Sequence, residues 1–437
     1  MTDQSRIGAA RTIYALSSGT PPAGIGVVRI SGPAAGAALT ALAGGALPPP
    51  RRASLRRLRD AAGAPLDDAL LLWFPGPNSV TGEDLAELHL HGGRAVIAGV
   101  LMALNGIDGL RPAEPGEFTR RAFDSGRIDL AEAEGLADLL AAETEAARIA
   151  ALRIAEGGLS RVVLDWQQRL LVLAARVEAL IDFSDEDDVR EEDEGRGIRE
   201  ELVAVGIAID ALEATPPAER LRDGVRVVFG GPVNAGKSTL FNRLAGRDAA
   251  LVSPVAGTTR DVIEAPVQIG GVPLLLIDTA GLRSDAGEIV EMMGIDRAAQ
   301  TIAGADIILW FGDATEVPDP DRSILVHARA DVRSDIAAPD ALIVSAHEDE
   351  GVEALRDAVL RRARSLLPPP DGLSLNQRQR KVVAEAAHAV RNALKEADWL
   401  LVAEDLRFAL AAFDRLTGRA GTEDMLDALF GRFCIGK

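Results

Sequence analysis

The residues best suited to do chemistry are Gly231-Pro-Val-Asn-Ala-Gly-Lys-Ser238, which fit G-x-x-x-x-G-K-[ST] and directly follow the apolar run Val225–Phe229. Glycines let backbone N–H groups turn inward around phosphate oxygens, and a helix N-terminus adds partial positive charge. Lys237 can reach β- and γ-phosphates as a point charge, and the Ser238 hydroxyl can ligate Mg²⁺. A helix-compatible run from Thr239 to Leu244 follows. This strand–loop–helix context predicts a nucleoside triphosphate held by Asn234, Ala235, Gly236, Lys237, Ser238 and Thr239.

Further segments narrow the nucleotide. Gly257-Thr-Thr-Arg-Asp261 is polar, and a threonine there (Thr258 or Thr259) can complete Mg²⁺ coordination and sense the γ-phosphate. Val262–Ile269, Gly270-Gly271 and Val272–Ile277 read as a hairpin ending in Asp278-Thr279-Ala280-Gly281. Asp278 is suited to hold Mg²⁺ through water, and Gly281 can offer its N–H to the γ-phosphate. The guanine-reading pattern Asn-Lys-x-Asp is altered to Ala328-Arg-Ala-Asp331, after the strand Ile324–Val326. Asp331 keeps the carboxylate that accepts from guanine N1–H and its exocyclic amine, whereas the missing asparagine and the Lys-to-Arg change at Arg329 should weaken base affinity or specificity. Ser345-Ala346, after Leu342–Val344, fits a last base-contact segment. GTP is favoured over ATP.

These residues need elements to position them, and 437 residues suggest two to three domains. Residues 1–118 alternate short β-type runs (Gly26–Ile30, Ala69–Phe74, Leu85–Leu90) with turns and Ala-rich stretches, a small α+β domain. Leu130–Ile181 has apolar residues at helical spacing, broken once at Gly157-Gly158. The acidic run Asp182–Glu194 reads as a solvated loop, with helix resuming through Leu212. Residues 224–367 alternate strand and helix signals between Thr215-Pro-Pro217 and Pro368-Pro-Pro370, as a doubly wound α/β domain should. Helical patterns return at Asn376–Asp398, Ala403–Leu416 and from Thr422. The expected architecture is an α+β N-terminal domain (1–118), an all-α domain in two pieces (119–217 and 371–437), and an inserted Ras-like α/β P-loop domain (218–370).

A formal charge of −19 argues against a general nucleic-acid-coating surface, so an RNA partner would meet a local basic patch or another subunit. One cysteine, Cys434, excludes an intrachain disulfide framework and suits a reducing cytosol. With no signal-peptide core and no long apolar run, the expectation is a cytoplasmic protein with no membrane partner.

Three stretches outside the phosphate-binding segment complete the pattern: Pro75–Asp84 with His91-Gly-Gly93; Arg111-Pro-Ala-Glu-Pro-Gly-Glu-Phe118 leading into Arg121-Ala-Phe123 and Leu130-Ala-Glu-Ala-Glu134; and the terminal Phe433-Cys-Ile-Gly-Lys437. With them the whole chain resembles the tRNA-modification GTPase family known as MnmE or TrmE. The resemblance implies a homodimer held through its N-terminal domains, working with an MnmG/GidA-type partner that carries FAD and uses NADH. Together they would add an aminomethyl-type group to C5 of the tRNA wobble uridine. A 5-formyl- or methylene-tetrahydrofolate would be the carbon source, and GTP hydrolysis would accompany K⁺-dependent docking of two G domains.

The resemblance also implies residue roles. Asn234 with Ser253, Val255 and Thr258 would hold K⁺, and Ser238 with Thr259 would hold Mg²⁺. Glu291 would orient the attacking water, with Glu288 a nearby rival. Arg29, Glu87, Arg127 and Lys437 would bind folate, and Cys434 would be needed for modification. The residues alone leave alternatives open: Arg29 and Glu87 suit a structural ion pair equally well, and a tail cysteine can be inert. His89 and His91 lack a third metal ligand. A second class of function, a ribosome-assembly or translation GTPase acting as a binding switch, would need neither a folate-type domain nor Cys434.

Overall fold

The computed structural model describes residues 12–182, 191–248, 263–279, 298–332, 337–369, 371–420, 423–431 and 433–436. It divides into two compact units, Met1–Ala137 with Asp414–Lys437, and Asp138–Phe413.

The first unit is built on a sheet of β1 (Thr12–Leu16), β2 (Ile25–Ser31), β3 (Ser54–Arg59), β4 (Pro65–Phe74), β5 (Leu85–His91) and β6 (Leu110–Pro112), in the order β3-β4-β5-β2-β1-β6. Neighbours are antiparallel except β1 and β6. Alternation along each strand sends Val28, Ile30, Leu71 and Leu88 into a core shared with helices α1 (Ala35–Ala43) and α2 (Arg94–Asn105). Ile13 and Ala15, one residue out of phase with Tyr14, pack instead with Ala113 and with Phe118 of α3 (Glu117–Asp124). Helix α4 (Leu130–Ala141) follows.

Helices α5 (Glu145–Ala155), α6 (Gly158–Asp182) and α7 (Glu191–Glu213) begin the second unit. Ile198, Leu202, Val205 and Ile209 recur at helical spacing on α7 and are all fully buried, which makes them one continuous seam. The expected single break at Gly157 is joined by another at residues 142–144, where the Thr144 side chain accepts from the Ala147 N–H and caps α5. The acidic run is shorter as a loop than expected: Glu191–Glu194 already lies in α7, since Glu carries good helix propensity. Residues 183–190 lie outside the described residues.

After α8 (Glu219–Asp223) comes the second sheet: β7 (Val225–Gly230), β8 (Ile263–Ile269), β9 (Val272–Asp278), β10 (Ile307–Trp310), β11 (Ser323–Ala328) and β12 (Leu342–Val344), in the order β12-β11-β10-β7-β9-β8. Only the β8–β9 hairpin is antiparallel. Helix α9 (Lys237–Asp248) follows β7, and α10 (Asp349–Leu366) follows β12. Phe229, Phe241, Leu276, Leu309 and Leu355 share their core. The chain ends in α11 (Gln377–Lys395), α12 (Trp399–Thr417) and α13 (Glu423–Phe430). An Asn376/Gln379 capping box starts α11, and Glu219 accepts from the Gln377 N–H, tying the two chain passages that flank the second sheet.

Candidate functional site

Strand β7 is buried between parallel neighbours β9 and β10, so the turn leaving its C-terminal end opens at the edge where parallel sheets bind ligands. Gly231 sits at φ +134, where a Cβ would lie 3.0 Å from the Gly312 nitrogen, and Gly236 at φ +93. Asn234 takes φ +61, a left-handed conformation that asparagine tolerates better than most residues. Lys237 is nearly buried, and its Nζ donates to the Gly231 and Pro232 carbonyls at 3.0 and 2.6 Å. The ammonium is thus held inside its own loop. Asp278 is 1% exposed at the end of β9, in register with Phe229, and Thr279 Oγ1 donates to the Phe229 carbonyl at 2.7 Å.

Beside the loop lies an open cavity of about 200 Å³, lined among others by Gly236, Ala328, Arg329, Asp331, Ala346 and His347. Ala328 ends β11, and Val344, in register with it, ends β12. Ser345 is buried and its Oγ accepts from the His347 N–H at 3.2 Å, which fixes the turn carrying Ala346. Arg329, at φ +61, reaches back with Nη1 to donate to the Asn234 carbonyl at 3.2 Å. The phosphate loop and the base-side cavity are therefore linked by one arginine. The sequence marks this position only as a Lys-to-Arg change in the base-reading segment; the link to Asn234 carries no sequence signal.

Described residues account for Asn234 to Thr239, Asp278, Thr279, Asp331, Ser345 and Ala346 around this loop and cavity. Ser253, Val255, Thr258, Thr259, Ala280, Gly281, Glu288, Glu291 and Lys437 lie outside the described residues.

In the first unit Arg29 and Glu87 face each other across β2 and β5. Arg29 Nε and Nη2 donate to Glu87 Oε1 at 3.1 and 2.8 Å, and His89 Nε2 lies 3.3 Å from Oε2. Burial disfavours the Glu87 charge, yet the Arg29 and His89 contacts outweigh it and hold the carboxyl below its ordinary range. The structural ion pair is formed. Arg29 also lies over the Phe118 ring, 5.8 Å from its centroid. Arg127 is exposed in the turn after α3, and among the described residues no hydrogen bond joins it to this pair. His91 is engaged by Asp67, with Nδ1 2.7 Å from Oδ1.

The distinctive stretches 75–84 and 111–123 meet in a network that sequence reading did not assemble. Arg121, 8% exposed, donates to Glu83 and Glu117; Arg111 donates to Glu117; Glu83 accepts from Ser31, whose hydroxyl meets Thr81 at 2.7 Å. Replacing Arg121 with methionine should cost about 3 kcal/mol, because it takes the arginine from Glu83 and leaves Glu117 with Arg111 in a partly buried site, and urea unfolding measures it. Burial opposes the Glu117 charge, but hydrogen bonds from Arg111, the Glu114 N–H and Arg121 hold its carboxyl below the ordinary 4.5. A depressed carboxyl stabilises above its unfolded value, so this contribution should fade as pH falls below 4.5.

The chain's end docks in the same unit. Phe433 packs with Leu130, Leu426 and Phe430. Ile435 bridges to Pro115, and Ser17 Oγ donates to the Gly436 carbonyl at 2.8 Å. Between these anchors Cys434 is exposed and carries a free thiol.

A mostly parallel six-stranded sheet in this order, with a phosphate loop leaving its central strand, defines a Ras-like P-loop nucleotide-binding domain, accompanied by an α+β N-terminal domain and helices. Comparison with known proteins names the family. The family described as "GTP-binding protein TrmE N-terminus" matches residues 12–127, and "MnmE helical domain" matches residues 130–434. A tRNA modification GTPase MnmE from Rhizorhabdus wittichii is 58% identical over 98% of this chain and 97% of its own. The protein of that name from Erythrobacter litoralis is 55% identical over 98% and 100%. The chain belongs to the MnmE family of tRNA modification GTPases. Among the described residues no helix is long and apolar enough to cross a membrane.

Proposed function

We propose that the protein hydrolyses GTP to drive formation of a (carboxymethyl)aminomethyl group on C5 of the tRNA wobble uridine, with a tetrahydrofolate carbon donor and an MnmG-type FAD- and NADH-using partner. The observation that supports it most is membership along nearly the whole chain in a family whose named relatives modify tRNA. A phosphate loop in the second unit and an exposed thiol on a docked tail in the first are both consistent with it. We further infer a cytoplasmic homodimer, with the P-loop domain (218–370) inserted between helical segments.

On this reading Lys237 exchanges its own loop carbonyls for the β- and γ-phosphate oxygens, so its charge is already positioned when nucleotide arrives. Ser238 and Thr259 would hold Mg²⁺ directly and Asp278 through water, hard oxygen donors of the kind that ion takes. The metal would supply positive charge that offsets the charge of the phosphates. Asn234 would hold a weakly bound monovalent cation, with Ser253, Val255 and Thr258 as its further ligands, and the ion would supply positive charge to the phosphates. Glu291 orients the attacking water. Exchanging K⁺ for Na⁺ should then lower the GTPase rate by about 10-fold or more, as an arginine-finger-like charge is withdrawn. Equal rates and equal self-association in both salts would remove the potassium role.

In the first unit Glu87 would exchange partners to read a pterin amine and ring N–H, with Arg29, Arg127 and Lys437 supplying positive charge to glutamyl carboxylates. Glu87→Ala should weaken binding of 5-formyltetrahydrofolate by about 10-fold or more, measured calorimetrically on folded protein. Unchanged binding would leave Arg29–Glu87 as a purely structural pair.

A further inference from the structure

We propose that the cavity beside the phosphate loop selects guanine through its Watson–Crick edge alone and leaves N7 unread. The inference rests on reading this cavity as the guanine site. Guanine offers two adjacent donors, N1–H and the 2-amino group, and a carboxylate can only accept, so Asp331 orients that edge. N7 belongs to the other ring, the one attached through the ribose to the phosphates. That half of the base falls between Asp331 and the phosphate loop.

Ala328 stands at that place. It is 4% exposed, and its Cβ would lie 3.4 Å from a Cβ built on Gly236. A methyl group cannot donate to N7. Among the described residues, the neighbouring side-chain donors are Arg329, His347 and Thr239. Arg329 spends Nη1 on the Asn234 carbonyl, and its Cγ lies against Gly236, 3.1 Å from a built Cβ. His347 is exposed on the Ala346 side of the cavity, and Thr239 is on the phosphate side in the first turn of α9. What the site has in place of an N7 donor is the arginine itself, a flat guanidinium and aliphatic stem clamped to the loop and lining the cavity.

The consequence is a distinct analogue profile. A site with a buried donor on N7 rejects a base lacking that nitrogen, because the donor is left unpaired. A site with a methyl there does not.

The test is calorimetric titration of the full chain with GDP, 7-deaza-GDP, IDP and ADP. Binding of 7-deaza-GDP should match GDP within about 3-fold, while IDP, lacking the 2-amino group, should bind about 10-fold or more weakly. A loss of about 10-fold or more for 7-deaza-GDP would overturn the proposal. ADP binding as tightly as GDP would instead overturn the guanine reading on which it rests. As a second arm, Ala328→Asn should make GDP bind about 5-fold or more tightly than 7-deaza-GDP, and a variant that folds yet still fails to distinguish them would also contradict it.

Discussion

Asp331→Asn is expected to lower affinity for GTP by about 100-fold and to make xanthosine triphosphate the preferred nucleotide. Two charge-assisted hydrogen bonds to guanine are worth roughly 1.5–3 kcal/mol each, and an amide keeps one acceptor while turning a donor toward a donor. Xanthine carries a carbonyl where guanine carries the amine, so the same amide fits it. Competition binding with GTP, xanthosine triphosphate and ATP measures the exchange. An unchanged preference for GTP would mean that Asp331 does not read the base. The substitution touches neither the phosphate loop nor the Arg329–Asn234 link, so phosphate contacts should persist.

Gly436→Ala is expected to abolish tRNA modification while leaving GTP hydrolysis near its normal rate. Gly436 sits at φ +97, and a Cβ there would lie 2.2 Å from the Leu16 carbonyl oxygen and 2.9 Å from Ser17 Cα. Both obstacles are backbone and cannot swing aside. An alanine must therefore release the Ser17–Gly436 hydrogen bond and the Pro115–Ile435 bridge, freeing the segment that holds Cys434. The rest of the unit keeps its cores, so its melting should change little. Uridine modification reconstituted with the proposed flavoprotein partner, assayed beside GTP turnover, separates the two activities. Modification at the normal rate would show that tail docking has no chemical purpose.

Gly116 makes a comparable demand with a structural outcome. A Cβ there would meet the Phe430 carbonyl oxygen at 2.1 Å, at φ +69. Both glycines lie in family-marking stretches, and close backbone approach, not flexibility, explains their residue type.

The phosphate-binding half was legible because its signals are local. The apolar strand, the glycine-rich turn, the β8–β9 hairpin and Asp278 at a strand end each follow from a few adjacent residues. β3 was not legible: Ser54–Arg59 reads Ser-Leu-Arg-Arg-Leu-Arg, and its exposed edge position lets it dispense with a hydrophobic face. β1 and β6 were equally silent, since the three-residue β6 exists only by parallel pairing with β1. Side-chain partnerships over long separations were the other gap. Arg329 reaches Asn234 only because both adopt left-handed φ, and Arg121 finds Glu83 only once β5 and α3 are placed. For Arg29 and Glu87 the opposite holds. Strand periodicity put Glu87 on one face with His89, and cross-strand register then set Arg29 opposite it.

On the proposed function, GTP hydrolysis here serves covalent modification of tRNA. Nucleoside analysis of tRNA from a strain lacking this gene, with and without complementation by the Lys237→Ala variant, tests it most directly. Unmodified wobble uridine in the deletion strain, restored by the wild-type gene but not by Lys237→Ala, is the predicted result. Intact wobble-uridine modification in the deletion strain, accompanied by immature ribosomal subunits, would contradict it and point to a binding switch.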